Sequence, residues 1–242
     1  MYTLLKSKVG PNPEPSFPPG IDLRAEARKA RRRLYPVTVI YSIYFLVLLT
    51  LVLRSPHAVI ALGFLALGVL AWIPSEYLVH RYILHGVFPD GRGWLARALH
   101  YLFDASHADH HARPWDGMYI NGHCDTLWAA AVLVPLGFLM PFYTVPLLLA
   151  TLLECFVVEE WTHHAVHFCN FKLEYFQYLR RRHFYHHSRH GVGLGYGITS
   201  GIWDTVAATR LGPEVRQRLS TRARPARPVT PYSAEDLRIY ES

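Results

Sequence analysis

Ten of the 15 histidines in this 242-residue chain fall into four short clusters: His80-x4-His85, His107-x2-His110-His111, His163-x3-His167 and His183-x2-His186-His187. Each cluster stands at or just beyond the end of a hydrophobic stretch. Imidazole suits zinc, copper, iron and nickel alike. A structural zinc is complete with four ligands, so ten imidazoles point to two ions and a redox centre. Residues three or four apart share a helix face, so His107, His110 and His111 can converge from one helix, as can His183, His186 and His187. Adjacent histidines within a triplet diverge by about 100° and are better placed on different ions. His163 and His167, one turn apart, can grip the same ion. His80 and His85 diverge by about 140° on an α-helix and are expected to split between the two. The expected partition is His80, His107, His110, His183 and His186 on one ion, and His85, His111, His163, His167 and His187 on the other.

Imidazole ligands need hydrogen-bond acceptors behind them. Glu76, Asp104, Asp109 and Glu160 are expected to accept from the ring N–H groups, with His190 and His164 as further supporting residues. His57, His100 and His123 fit no cluster. Glu160-x2-His163 resembles half of the carboxylate motif of soluble di-iron bundles. That motif must occur twice, with two more glutamates, and Asp104-x2-His107 is only a weak partner. The run Gly191-x-Gly193-x-Gly195-x-Gly197 follows no strand, which argues against a phosphate loop. A tight loop that lets the backbone pass close to the metals or the substrate is expected instead. Tyr196 and Trp203 are candidates to line an acyl path, with plain packing as the alternative. Arg181, in the Arg180–Arg182 run, is a candidate to hold a substrate carboxylate or phosphate or to dock an acidic electron carrier; a solvated basic face is its plainer role.

The elements that must position these rings are hydrophobic. Pro36–Leu53 and Ser55–Ser75 carry no charge, and Thr126–Met140 with Phe142–Val158 form a long apolar pair interrupted by Pro141, Pro146 and Glu154. A spanning helix needs roughly 20 mostly apolar residues, so four spans in two hairpins are expected; 126–140 alone is short enough for a core helix. With no strand alternation and no repeat, the fold class is all-α. The formal net charge is +7, and Arg24, Arg28, Lys29, Arg31, Arg32 and Arg33 lie just before the first span. If that flank is cytoplasmic, two hairpins return the histidines and the C-terminus to the same side, and Arg54 alone of 25 Lys and Arg residues faces outward. The positive-inside rule asks for that asymmetry. It makes the chain a multi-pass membrane protein with both termini cytoplasmic, in a bacterial inner membrane or the endoplasmic reticulum. The basic run also suits anionic headgroups, whereas a nucleic-acid patch would need aromatic or helical interleaving on a soluble fold, so no nucleic-acid partner is expected. No cleavable signal peptide is expected. Cys124, Cys155 and Cys169 lack C-x-x-C spacing and read as reduced structural thiols. The expected organisation is a Pro/Arg-rich leader (1–35, with five prolines in Pro11–Gly20), a membrane domain (36–210) and a basic surface tail (211–242, carrying Arg222, Arg224 and Arg227). A cytoplasmic helical cap would hold the dimetal site.

The clusters also sit in longer strings. These are Glu76-Tyr77-Leu78-Val79-His80-Arg81-Tyr82-Ile83-Leu84-His85, then His107-Ala-Asp-His110-His111 followed by Pro114 and Asp116, then Thr162-His163-x3-His167. Last comes His183-x2-His186-His187 with Gly197-Ile198-Thr199-Ser200-Gly201-Ile202-Trp203-Asp204. Together, over 74–210, they resemble the fatty acid hydroxylase/sterol desaturase superfamily, and most closely its fatty acid 2-hydroxylase branch. The Gly-Ile-Thr-Ser-x-x-Trp-Asp string is the most branch-specific piece. The resemblance implies four spans with a cytoplasmic helical cap and two iron ions, which zinc would replace in some purified samples. It implies O2 as co-substrate and hydroxylation of a lipid acyl chain next to its carbonyl. It also implies external electrons. The fused haem-binding cytochrome domain of some members is not seen, so a separate donor of ferredoxin or cytochrome type, with its reductase, is expected. Carotenoid-ring and ornithine-lipid hydroxylases share the boxes and stand as alternatives, the first disfavoured by the C-terminal string. A non-catalytic metal-binding protein such as a zinc sensor or transporter is the rival from another class. Transport histidines belong near the bilayer midplane, and these ten all follow the hydrophobic runs.

Overall fold

The computed structural model describes residue 18 and residues 20–86, 93–120 and 125–221. Among these there are helices and no strand. Helix α1 spans Leu23–Leu53 and α2 spans Ala58–Leu78, which runs on into a π-helical turn at Val79–Leu84. Helix α3 (Trp94–His100) leads through a second π turn, Tyr101–Ala105, into α4 (Ser106–Ala112). Then follow α5 (Asp125–Gly137), α6 (Val145–Phe168), α7 (Glu174–His187), α8 (Ile202–Val206) and α9 (Pro213–Thr221).

Helix α1 starts where the Asp22 carboxylate accepts from the Arg24 and Ala25 N–H groups, with Glu26 in its first turn. It continues through Pro36, the expected start of the first span. The basic run therefore forms the opening turns of the first apolar helix and does not precede it. Leu23–Leu53 and Ala58–Leu84 are each long and apolar enough to cross a membrane. Their large side chains, among them Ile43, Leu46, Val59, Leu62 and Leu70, are exposed outward, as lipid contact requires. Helices α5 and α6 follow the second apolar pair, with a turn at residues 138–144.

Helix α6 packs along both α1 and α2. One core cluster joins the C-terminal end of α1 (Leu48, Val52) to the starts of α2 (Ala61) and α6 (Leu147, Ala150). Another joins Val37, Tyr41, Ala130 and Val157. The helices come close at Gly68, where an added Cβ would stand 2.8 Å from Thr151 Cβ; small residues permit such contact between apolar helices. Polar ties hold the same bundle: Ser42 Oγ donates to Glu154 Oε2 at 2.9 Å, and Trp161 Nε1 to Thr38 Oγ1 at 2.9 Å.

The residues just after 210 are not a surface tail. Leu211, Val215 and Leu219 recur at helical spacing and turn one apolar face to α7, and Leu211 and Leu219 are buried with Phe184 and Tyr185. The leader prolines before residue 18, His123, Cys124 and the Arg222–Arg227 string lie outside the described residues.

Candidate metal centre

All ten clustered histidines come together, in two groups of five. His80, His85, His107, His111 and His186 each place a ring nitrogen within 4.8 Å of the others, and so do His110, His163, His167, His183 and His187. Adjacent histidines are separated as expected: His110 from His111, and His186 from His187. The rest of the expected partition does not hold, for two local reasons. In the π turn, the His85 N–H donates to the His80 carbonyl at 3.0 Å. That i to i+5 bond stacks residues five apart instead of turning them away from each other. Within each triplet the structure groups residues four apart, His107 with His111 and His183 with His187. They diverge by about 40°, less than the 60° of residues three apart.

The distances fit a shared cation in each group. In the first, His107 Nε2 lies 3.2 Å from His80 Nε2 and 3.0 Å from His85 Nε2, which is 3.0 Å from His186 Nε2. In the second, His183 Nε2 lies 3.1, 2.9 and 3.0 Å from the Nε2 atoms of His163, His167 and His187, and His163 Nε2 is 3.1 Å from that of His110. A ring nitrogen carries either one hydrogen or one lone pair, so His183 cannot satisfy three others by hydrogen bonding. Two nitrogens each about 2.1 Å from an ion, at a right angle, stand about 3.0 Å apart. Burial holds His107, His110, His111, His183 and His187 well below the ordinary histidine range, with repulsion between neighbouring rings adding to it. Burial also takes His186 down to about 4. Neutral rings keep the lone pair that a metal needs. The groups adjoin: the His111 and His187 rings stack with centroids 4.1 Å apart.

Two of the rings are oriented by groups outside the expected set. His80 Nδ1 bonds to the Tyr196 carbonyl, and His186 Nδ1 to the Leu194 carbonyl at 2.7 Å. With the proton on Nδ1, each ring turns its Nε2 lone pair toward the centre. Both carbonyls belong to the glycine run, where Gly193 and Gly195 have φ of 79° and 72°, a region open to glycine at little cost. Glu76 reaches the rings only through this loop: it accepts from the Ile198 N–H, the Thr199 N–H at 2.7 Å and Thr199 Oγ1. Asp104 pairs with His100 Nδ1 at 2.9 Å and Asp109 with Arg113 Nη2 at 2.7 Å. His190 is exposed beside Arg189, and His164 is buried against Trp161 and Phe168. Missing from the expected set is Asp204, which accepts from the Tyr196 and Gly197 N–H groups at 2.9 and 3.0 Å. Its only signal was its place in the Gly-Ile-Thr-Ser-x-x-Trp-Asp string.

A cavity of about 210 Å³ opens onto both groups: His80 and His107 line it from the first, His110 and His163 from the second. Trp72, Phe103, Ile120 and Phe156 give it apolar walls, and the buried carboxyls of Glu76, Glu159 and Glu160 face it. The three residues expected at the substrate, Tyr196, Trp203 and Arg181, do not line this cavity. Tyr196 is buried behind His80, with ring centroids 5.7 Å apart. Trp203 leans on Tyr77, and Arg181 Nε donates to the Leu219 carbonyl, tying α7 to α9.

Apolar helices carrying two adjoining five-imidazole groups define a helical membrane protein built to bind metal. Residues 65–209, which contain all four clusters and the glycine loop, match the family model described as fatty acid hydroxylase. The chain belongs to the fatty acid hydroxylase family. It is 34% identical over 151 residues to dihydroceramide fatty acyl 2-hydroxylase FAH2 of Arabidopsis thaliana, covering 61% of this chain and 60% of that one. It is 28% identical over 161 residues to fatty acid 2-hydroxylase of Rattus norvegicus (65% and 42%). It is 31% identical over 170 residues to ceramide very long chain fatty acid hydroxylase SCS7 of Saccharomyces cerevisiae (67% and 41%). The match thus spans 60% or less of each of these relatives. Among solved structures, full-length scs7p, in which only the hydroxylase domain is visible, superposes with a TM-score of 0.61 at 28% identity, covering 75% of this chain and 67% of that one.

Proposed function

We propose that this chain is a membrane di-iron hydroxylase that puts a hydroxyl group on a lipid acyl chain near its polar end, as a fatty acid 2-hydroxylase does. The observation that carries the proposal is one apolar cavity shared by two groups of five imidazoles. Ten neutral rings are the ligands. Two iron ions, when bound, supply O2 activation and attack on an unactivated C–H bond, with electrons from a separate ferredoxin- or cytochrome-type donor. The protein's part is placement. Trp72, Phe103 and Phe156 take up the acyl chain and exclude water, while Glu159 and Glu160 meet its polar end. Since both groups line the same cavity, a carbon held there lies beside both. Helices α1 and α2 form one membrane hairpin and α5 and α6 a second, with the histidines and both termini on the cytoplasmic side. The cluster of Leu48, Val52, Ala61 and Leu147, at the opposite end of the helices from His80 and His163, supports that antiparallel arrangement.

The test is lipid mass spectrometry under oxygen-18 in cells with and without the chain, together with metal analysis of the purified protein. An acyl chain carrying one oxygen-18 atom beside its carbonyl, with two iron ions per chain, is expected. Tight zinc with no O2-dependent product would overturn the proposal, as would label confined to a carotenoid ring.

A further inference from the structure

We propose that Glu76 and Asp204 are positioning residues for one metal ion only, acting through the glycine loop as a clamp on the first histidine group. The inference rests on the dimetal reading above.

The two groups are built differently. The second takes His110 from α4, His163 and His167 from α6, and His183 and His187 from α7, so all its rings stand on α-helices. Among the described residues the buried Nδ1 of His110 in that group, like that of His111 in the first, has no hydrogen-bond partner. The first group takes rings from a π turn, α4 and α7, and two of them, His80 and His186, are oriented by loop carbonyls two residues apart. That stretch of loop is fixed largely by side chains. Four consecutive N–H groups, from Tyr196 to Thr199, donate to two buried carboxylates, the first two to Asp204 and the last two to Glu76. From the other side, buried Arg182 donates to the Gly197 and Ile198 carbonyls. Buried charges survive only when paired or hydrogen-bonded, and here all three bond to the same four residues of backbone, with the Thr199 and Thr209 hydroxyls also donating to Glu76 and Asp204. A ring whose Nδ1 partner shifts loses the aim of its Nε2, and losing such a partner typically costs 10–100-fold in metal affinity. His163, His167, His183 and His187 take their places from helices that this loop does not build. The clamp therefore acts on one ion and spares the other.

The experiment is chelator titration of the full-length protein purified in detergent, with metal counted by mass spectrometry. D204N and E76Q are compared with the wild type. Each variant is expected to lose its first ion at 10–100-fold lower chelator concentration and then to hold at one ion per chain. Adding H163A to D204N should leave no ion at that concentration, whereas adding H186A should still leave one. With cobalt substituted, the visible bands of one ion should shift and those of the other stay. Should D204N fold poorly, T199V removes a single hydrogen bond to Glu76 at nearly constant volume and should give the same selective loss, with T199S restoring the ion. Loss of both ions together, or of neither, overturns the clamp while leaving the dimetal centre standing. Fewer than two ions in the wild type overturns the dimetal reading, and the clamp with it.

Discussion

His183 carries the residue-scale argument, because three other ring nitrogens crowd its Nε2 within 3.1 Å. Neutral rings at that distance need a cation between them. His183→Ala should therefore empty the second group and abolish the proposed hydroxylation, and His186→Ala should do the same through the first. Circular dichroism should show unchanged helix content for both, since neither ring packs the apolar bundle; a variant with full activity and two ions would refute its ligand assignment. Acid supplies a second test. His186 titrates at about 4 because it is buried, against an ordinary 6.5. Between those values the unfolded chain holds a proton there that the folded chain does not, so stability rises with pH across the window. The melting temperature of metal-free protein should fall as pH drops from 6.5 toward 4, and metal retention should fall with it because protons compete for the same lone pair. A melting temperature flat over that range would contradict the assigned burial.

At the scale of elements, helix packing and ring placement are one problem. Gly68 lets α2 and α6 approach until Thr151 Cβ would stand 2.8 Å from an added Cβ; α2 runs on into the turn that carries His80, and α6 carries His163. Gly68→Leu should force them apart. Overpacking of that kind costs about 1–3 kcal/mol, so thermal unfolding in detergent should come earlier, and activity should fall more than helicity. A wild-type melting curve would mean that the close approach does not matter. How much of this was legible from the residues differs by element. All ten clustered histidines could be named because residue type and spacing survive in sequence. Their sorting could not, since the π turn at Val79–Leu84 leaves no mark in residue type and turns His85 back toward the side of His80. The acceptors behind His80 and His186 were hidden for a related reason: they are backbone carbonyls, which every residue has. Helix α9 was legible in principle from Leu211, Val215 and Leu219, but the arginines that follow masked so short an apolar face.

For the whole molecule, the question is how far the second hairpin reaches. Helix α5 has 13 residues and rises about 20 Å, short of a hydrocarbon core about 30 Å thick. Yet the turn after it lies level with the turn between α1 and α2: the His57 and Tyr143 rings stack with centroids 4.1 Å apart. Phe142 and Tyr143 pack against the same cluster as Val52 and Ala61. If one turn reaches the outer surface, so does the other. Phe138, Leu139 and Met140 are exposed and apolar, which suits a turn resting among outer headgroups. The basic run at the start of α1 sets the proposed hand: a cytoplasmic Arg24–Arg33 would put Arg54 outside and Arg189 inside. Single cysteines at Arg54, Leu139 and Arg189, with Cys124, Cys155 and Cys169 changed to serine, turn this into a measurement. An impermeant maleimide added to sealed cells or right-side-out vesicles should label position 54 at once and 139 more slowly. Position 189 should react only after the membrane is opened. Labelling of 189 from outside would invert the topology and put the metals on the wrong face for a cytoplasmic electron donor. A position 139 that reacts from neither side would mean that the second hairpin turns within the hydrocarbon, leaving two spans and a re-entrant pair to carry the same ten histidines.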